Sequence, residues 1–404
     1  MANTFKFGNG EWAVGKETAL AYNDENSNFK PLPFTFDRGS IGTVVNKDGL
    51  IETVGIDEPR IDFLNNTKGH LLLEPERRNS ILYSNGFDNS AWEKGTGGTA
   101  SAPVVSANQG ISPDGTNNAF KIDFDLGGGT TSTDRSRLTE NFTNTLTTDY
   151  TFSFYAKAYS QSDVGKVVNF SADNVTNENF NFTLTSDWQR FTSTGQSNGN
   201  NVNLHIQLRG NISTSDTASL LLFGFQAEVG SYATSYIPTQ GSPETRSADF
   251  TKIVNSPILQ GTNQFTLFFE AKDFLIVNGT NVSFSNLMLV FGAGESAYDS
   301  GTGIHIYDRT WFYYNGSSAV FVGVCYNGLV DSKFAISYDG TKFTRYAGGV
   351  KLGEYTASAS MVNWDTITTG ANTDVENDDR VFNLSDLRLY NTALTDAELI
   401  ALTS

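Results

Sequence analysis

The 404-residue chain has little cysteine and little histidine. A single cysteine, Cys325, cannot form an intramolecular disulfide, which excludes a disulfide scaffold. The three histidines, His70, His205 and His305, are far apart in sequence and give no Cys/His ligand set for zinc. The sequence therefore predicts neither redox chemistry nor a zinc site.

Positive charge is also scarce. The chain has 27 Lys and Arg against 44 Asp and Glu, a formal net charge of −17. Such a chain repels the phosphate backbone, and no block of basic residues reverses the sign locally, so nucleic acid is not an expected partner. No stretch approaches the ~20 apolar residues of a membrane span, and the N-terminus lacks the apolar core of an export signal. We expect a soluble protein without membrane insertion.

The abundant residues are those of strands and turns. Gly (38), Phe (30) and Tyr (16) are frequent and only 18% of residues are charged. In the middle of the chain, strand-like runs alternate polar and apolar residues at short spacing, without a helical pattern between them. These runs cover residues 119–124, 150–155, 167–170, 179–184, 188–192, 202–208 and 220–225. The pattern predicts an all-β fold with antiparallel strands, as in a sandwich or jelly roll.

Strand patterns resume after a segment containing Gly241, Pro243 and Pro257, where we place a domain boundary. The later runs are separated by the hairpin signals Asn315-Gly316, Asn327-Gly328 and Asp339-Gly340. One helix is predicted, at the C-terminal end. Thr395 and Glu398 form its capping box, and Leu399, Ile400 and Leu402 supply its apolar side. We expect three parts: an N-terminal segment over 1–80, with a hairpin turn at 46–49, and two sandwiches over 81–240 and 241–404.

Exposed aromatic rings can stack on the apolar faces of sugars, which makes some tryptophans and tyrosines candidate glycan-binding residues. The candidates are Trp311, Tyr313, Trp188 and Trp364, although packing in a sandwich core explains such residues more often than binding does. Trp92 is expected to be a core residue. His205 alternates with Val202, Leu204, Ile206 and Leu208, so it is either a solvated strand residue, the favoured interpretation, or part of a polar binding face.

Catalytic motifs are incomplete. The acidic stretch 374–379 comes nearest to the Glu-x-Asp-x-(x)-Glu pattern of sandwich glycosidases, but Arg380 and Val381 stand where the third carboxylate would be. The same stretch lacks the EF-hand glycine and glutamate, so a solvated loop is the favoured interpretation over a calcium loop. We therefore predict that the protein is not an enzyme.

Several segments resemble known protein families. Residues 5–12, 20–25, 29–33, 37–40, 48–53 and 71–75 are similar to structural proteins of tailed phages that infect Bacteroides-type bacteria. The middle segment, from residues 83–92 through 225–238, is similar to carbohydrate-binding-module jelly rolls embedded in phage fibres, and residues 384–400 resemble the ending of concanavalin A/laminin G-like sandwiches. The resemblance implies a virion fibre protein of the head or tail, in which residues 1–80 anchor or oligomerise the chain.

The resemblance also implies partners and a cofactor. A fibre protein would contact other virion proteins, form a homo-oligomer, with a trimer favoured, and attach to host-surface glycans; it would be made in the host cytoplasm and displayed on the virion surface. Jelly rolls of this kind often hold a structural calcium, for which Asp88 and Glu228 are the only carboxylates to nominate. The alternatives are a tail-associated polysaccharide depolymerase and a capsid decoration protein that binds no glycan.

Overall fold

The computed structural model describes residues 4–10, 12–15, 18–23, 28–31, 34–176, 179–253, 264–272, 287–292, 302–307, 310–315, 319–324, 331–357, 366–370 and 382–404. The chain divides into two compact units. The inserted unit comprises residues 50–52 and 77–246, and the composite unit comprises residues 1–49, 53–76 and 247–404.

The described secondary structure is almost entirely β. The N-terminal strands are β1 (Thr4–Gly8), β2 (Ala13–Gly15), β3 (Thr18–Asn23), β4 (Asn28–Pro31), β5 (Phe34–Asp37), β6 (Gly42–Val45), β7 (Ile51–Val54), β8 (Ile61–Asp62) and β9 (His70–Leu73). The middle strands are β10 (Arg77–Asn79), β11 (Glu93–Gly97), β12 (Ser101–Gly110), β13 (Ala119–Asp125), β14 (Arg135–Thr143), β15 (Asp149–Ala158), β16 (Val167–Asp173), β17 (Asn179–Thr183), β18 (Gln189–Gln196), β19 (Asn201–Arg209), β20 (Thr217–Val229) and β21 (Glu244–Arg246), with one 3-10 turn at Gln161–Asp163.

The C-terminal elements continue the pattern. They are β22 (Phe250–Ile253), β23 (Phe265–Lys272), β24 (Leu287–Gly292), β25 (Thr302–Tyr307), β26 (Thr310–Asn315), β27 (Ala319–Val324), β28 (Asp331–Tyr338), β29 (Lys342–Ala347), β30 (Val350–Thr356), β31 (Thr366–Gly370), β32 (Phe382–Tyr390) and the helix α1 (Asp396–Thr403). In the described part of the chain, no helix is long and apolar enough to cross a membrane. The predicted all-β, antiparallel fold class is confirmed.

The inserted unit is a sandwich of two five-stranded antiparallel sheets, ordered β11-β14-β19-β16-β17 and β12-β13-β20-β15-β18. Alternation along each strand turns one set of side chains inward, where they form a single aromatic-rich core. Trp92 is fully buried, packs its ring on Phe87 and Phe225, and donates its indole N–H to the Tyr83 carbonyl at 2.9 Å. The prediction of Trp92 as a core residue is confirmed. Strands β10 and β21 pair with each other at the two ends of the inserted segment.

The composite unit has two larger sheets. One contains the path β2-β3-β1-β32-β23-β28-β29-β30, and the other is ordered β27-β26-β25-β24-β31-β22-β5. The helix α1 covers one face of the first sheet, where Leu399 packs with Phe268, Ala335 and Tyr346. Its predicted capping box is present, whereas Ile400, which we expected on the apolar side, is 44% exposed. The predicted Asp339-Gly340 turn joins β28 to β29, and Gly340 has a φ of 98°. The hairpin expected around residues 46–49 joins β6 to β7.

The domain boundaries differ from the expected ones at the N-terminal end. Residues 1–80 do not form a separate part, because β1 pairs with β32 over five residues, from Thr4 opposite Tyr390 to Gly8 opposite Asp386. Strand β5 likewise pairs with β22. The first strands therefore complete the two sheets of the composite unit. The middle domain expected over 81–240 corresponds to 77–246, which lies between the two segments of the composite unit in sequence.

Candidate functional site

The outward side of the sheet β11-β14-β19-β16-β17 carries an unusual concentration of amides, hydroxyls and arginines. Inward neighbours such as Leu138, Leu204 and Phe170 fill the core, so the alternate residues of the same strands point away from it. We name the outward side chains of β14, β19, β16 and β17 the amide face. Its polar members are Arg135, Arg137, Thr139, Asn141, Thr143, Asn201, Asn203, His205, Gln207, Arg209, Asn169, Ser171, Asp173, Asn179, Asn181 and Thr183, and its apolar member is Val167.

The centre of the amide face is a row of hydrogen-bonded amides across three strands. Gln207 lies opposite Asn169, and Asn169 lies opposite Asn181. Gln207 Nε2 donates to Asn169 Oδ1 at 2.9 Å, and Asn169 Nδ2 donates to Asn181 Oδ1 at 2.9 Å and to Asn179 Oδ1 at 2.7 Å. Each amide orientation is thus set by its neighbour, so the row is held rigid before any ligand arrives.

One strong acceptor in this row has no partner. Gln207 is 3% exposed, its Nε2 is shared between Asn169 and Ser171, and its Oε1 is buried without a hydrogen bond. An unsatisfied buried carbonyl costs about 1–3 kcal/mol, and buried polar groups in folded proteins are mostly paired. Gln207 is covered as fully as the rest of the inner row, so the amides that a ligand can reach are those at its exposed end, Asn179 and Asn181.

A second row crosses the face at Thr139, His205 and Asp173. Thr139 Oγ1 lies 2.9 Å from His205 Nδ1, and His205 Nε2 lies 3.1 Å from Asp173 Oδ2. Burial lowers the pKa of His205; the Asp173 carboxylate opposes this, and the charges of Arg137 and Arg135 add to the lowering. His205 is 5% exposed, so the expectation of a solvated strand residue is wrong: its neighbours across β14 and β16 cover it.

The order hydroxyl, imidazole, carboxylate also occurs in acyl-transfer triads. Here the hydroxyl belongs to Thr139, which is only 7% exposed in the middle of the sheet. A nucleophile must reach within about 3–3.5 Å of the carbon that it attacks, and a side chain covered on this scale gives a substrate carbonyl no approach. We interpret the row as a device that fixes His205 and Asp173 on the face.

Trp188 is the one nominated aromatic residue whose side chain is described. It lies immediately before β18, in the other sheet of the sandwich, and is half-buried. Its indole N–H donates to the Ile111 carbonyl at 3.0 Å, and Lys157 Nζ lies 5.5 Å from its ring centroid. The ring is thus fixed in place, but on strands that do not contribute to the amide face.

The side chains of the other three nominated aromatic residues lie outside the described residues. Trp311 and Tyr313 lie on β26, opposite Ile306 and Ile304 of β25, and their side chains lie outside the described residues. Trp364 lies wholly outside the described residues. Their assignment as glycan-binding residues therefore stays a prediction.

The carboxylates nominated for calcium occupy different environments. Glu228 is fully buried, and its two oxygens accept hydrogen bonds from the backbone N–H of Thr234, at 3.1 Å, and from the Thr234 hydroxyl. Asp88 is exposed. Within the described residues, no residue forms a hydrogen bond or ion pair with both Asp88 and Glu228. The same part of the chain contains no group of three or more His, Cys, Asp or Glu side chains suited to a metal. Calcium stays a prediction without a located site.

Sequence reasoning identified only part of the amide face. The alternation in 202–208 placed Asn203, His205 and Gln207 on one side of a strand, which is correct. It did not reveal that the amides of 169, 179 and 181 lie beside them, because that depends on the pairing of β16 with β19 and with β17. The available signal was the alternate polar positions within otherwise apolar runs.

The chain is distantly similar to several solved structures. Neither the models of protein families nor the curated proteins include a match to this chain. Among solved structures, the CBM40 of the Ruminococcus gnavus IT-sialidase bound to α2,3-sialyllactose is 17% identical, covers 35% of this chain and 84% of its own, and has a TM-score of 0.27. Domain 4 of AbnA, a GH43 extracellular arabinanase from Geobacillus stearothermophilus in complex with arabinotriose, is 14% identical. The match covers 43% of this chain and 82% of that domain, with a TM-score of 0.31.

A third similar structure is the binding domain of Paraclostridial Mosquitocidal Protein 1, with 11% identity, 39% and 43% coverage and a TM-score of 0.28. At identities and TM-scores this low, none of the three tells what this chain binds.

Proposed function

We propose that the inserted unit binds a saccharide on the amide face. The observation that carries the proposal is the hydrogen-bonded row of Gln207, Asn169 and Asn181, which ends in the exposed amides of Asn181 and Asn179. Sugar hydroxyls both donate and accept, so they match a surface of fixed amides and hydroxyls. Because the row is already ordered, binding costs little side-chain entropy.

We further propose that the chain is not an enzyme. Among the described residues, the two acidic side chains on this side of the sheet are Glu93, opposite Thr139 on β11, and Asp173 on β16. Their strands are three positions apart in the sheet, about 14 Å at the usual strand spacing. Glycosidases place their two carboxyl groups about 5–9.5 Å apart, so the separation supports binding rather than glycoside cleavage.

The biological setting is proposed from the resemblance of the sequence to phage fibre proteins. In that setting the chain is a structural protein of the virion surface, on head or tail. It associates with other virion proteins as a homo-oligomer, with a trimer favoured, and attaches to glycans of the host surface. A net charge of −17 suits dense display, because neighbouring copies repel one another and stay soluble.

The test is binding of the full chain to a glycan array and to host capsular polysaccharide. Asn181 is exposed and accepts a hydrogen bond from Asn169, so Asn181→Ala should weaken binding about five- to tenfold. Thr192→Ala, an exposed polar residue on β18 of the other sheet, is the matched control and should change nothing.

Other outcomes assign the other functions. Loss of binding in Trp188→Ala but not in Asn181→Ala would move the site to the opposite sheet. Release of reducing sugar from the capsule would show a depolymerase. Failure of the intact oligomer to bind any glycan would leave a decoration protein of the capsid as the remaining function.

A further inference from the structure

Three arginines lie together at one end of the amide face. Arg135 and Arg137 are alternate residues of β14, and Arg209 of β19 lies directly opposite Arg135. Side chains opposite each other on antiparallel strands are about 4.5–5.5 Å apart at Cβ, and residues two apart along a strand are separated by about 6.8 Å. The three arginine side chains therefore start from neighbouring positions at one end of the face.

No carboxylate of the described residues neutralises them. None of the three makes an ion pair there, and Arg209 donates from Nε to the Ser132 carbonyl at 3.0 Å. The adjacent Asp134 is occupied, because its oxygens accept from the backbone N–H groups of Thr99 and Thr131 at 2.9 and 2.7 Å. Asp173 faces His205, one row beyond Gln207. Like charges placed opposite each other on paired strands lower the stability of a sheet. Such a local loss of stability, with no compensating contact, is typical of a functional site.

The neighbouring strand has glycines beside the arginines, and the Arg137 side chain takes up the space over one of them. Gly95 lies opposite Arg137 and Gly97 lies opposite Arg135 on β11. A Cβ at Gly95 would lie 2.8 Å from Arg137 Nε, so the Arg137 side chain leans over a strand position that has no side chain. The edge of the face beside Arg137 is consequently not covered by a side chain of β11 at that position.

We infer that the saccharide bound on the amide face is anionic, with a carboxylate or sulfate held by Arg137 and Arg135, and Arg209 beside them. This inference rests on the proposed function. Gln207 lies opposite Arg137 on β19, whereas the Arg137 side chain extends over Gly95 of β11, so the anion lies toward β11 and the sugar hydroxyls lie toward the amide row. Arginine presents two parallel N–H donors to a carboxylate or sulfate, which gives both affinity and orientation. On a chain of net charge −17, a local cluster of three arginines also directs anions to this end of the face.

The test compares charged and neutral polymers of matched backbone on the intact chain. The probes are polygalacturonate against its carboxyl-reduced form, and dextran sulfate against dextran. We expect at least tenfold tighter binding of one charged probe, weakening as NaCl rises, and a further tenfold loss in Arg137→Gln. Arg137→Lys keeps the charge but not the planar pair of donors, so it should recover binding only partly.

Arg78→Gln is the matched control, because Arg78 is exposed on β10, outside the sheet of the amide face, and its loss changes the net charge equally. Equal losses in Arg78→Gln and Arg137→Gln, or equal binding of charged and neutral probes, would overturn the inference. If the neutral probes bind and Asn181→Ala weakens that binding, the saccharide-binding function stands and the inference of an anionic ligand fails. If no probe binds, both the function and the inference are contradicted. If Arg137→Gln loses its fold by circular dichroism, Arg135→Gln provides the same comparison.

Discussion

Two buried carboxylates of the inserted unit, Asp134 and Glu140, are stabilised in opposite protonation states. Asp134 accepts hydrogen bonds from the hydroxyls and backbone N–H groups of Thr131 and Thr99, which lower its pKa well below the usual range. Glu140 points into the core, where Oε1 accepts from the Leu82 N–H at 2.8 Å and Oε2 has no partner. Burial raises the pKa of Glu140 to about 8.

Glu140 predicts an inverted pH dependence of stability. In the folded state its carboxyl keeps a proton up to about pH 8, whereas in the unfolded chain it releases that proton above about pH 4.3. The unfolded state therefore binds fewer protons between these values, and the free energy of unfolding falls as pH rises through this window. We expect the wild type to lose roughly 1–3 kcal/mol between pH 5 and pH 8 relative to Glu140→Gln.

The measurement is urea unfolding of both proteins at pH 5 and pH 8. Glu93→Gln, an exposed glutamate on the adjacent β11, is the control and should follow the wild type at both pH values. If the free energy of unfolding changes equally between pH 5 and pH 8 in Glu140→Gln and in the wild type, the carboxyl is ionised in the core and the prediction is wrong.

At the scale of elements, local sequence rules account for most strands and for the helix. Alternation in β14, β16 and β19 sends apolar residues inward and polar residues outward, and the Asp339-Gly340 turn joins two strands as its residues predict. The amide face shows the limit of such rules. Each strand's polar side could be read from its own residues, but whether that side is solvated, like Asn181, or covered, like Asn169, depends on its neighbours.

The capping box of α1 is the most local of these features, and its contribution to helix stability can be measured. Thr395 N donates to Glu398 Oε2 at 2.8 Å, and Glu398 N donates back to Thr395 Oγ1. Thr395→Ala should destabilise α1 by about 1 kcal/mol. The amide of Leu399, which donates to the Thr395 carbonyl at 2.9 Å, should then exchange about fivefold faster with deuterium.

Thr395→Ser is the matched variant, because it keeps the capping oxygen and should exchange as the wild type does. Unchanged exchange at Leu399 in Thr395→Ala would mean that packing of Leu399 on Phe268 and Tyr346 holds the helix without its cap.

At the scale of the whole molecule, the composite unit is assembled from segments on both sides of the inserted unit, and a buried charge cluster joins them. Asp249 accepts from Arg38 Nη1 at 3.1 Å, from Arg60 Nε at 3.2 Å and from the backbone N–H of Glu74 at 2.9 Å. Arg60 also pairs with the Glu74 carboxylate at 2.8 Å. Despite burial, the nearby Asp249 and Glu74 charges raise the pKa of Arg60 above its usual value.

Removing the central carboxylate should affect one unit more than the other. Asp249→Ala leaves Arg38 and Arg60 buried without this partner, which costs about 3–5 kcal/mol in comparable sites. We expect a large loss of protection from hydrogen exchange in β23 and β32, with β19 of the inserted unit unchanged. Asp37→Ala, an exposed aspartate of the composite unit, should change neither. Equal loss of protection in β19 would show that the two units unfold as one.

The sequence by itself determined the fold class, the positions of most strands in the inserted unit, the core role of Trp92 and the capped terminal helix. These follow from alternation, turn residues and caps, which act over a few residues. Only the tertiary structure decided that β1 completes a sheet with β32, that amides from β19, β16 and β17 form one row, and that Arg135 lies opposite Arg209. The physical reason is that strand partners and register are chosen by burial and hydrogen bonding between distant segments, and each segment's own pattern fits many partners equally well.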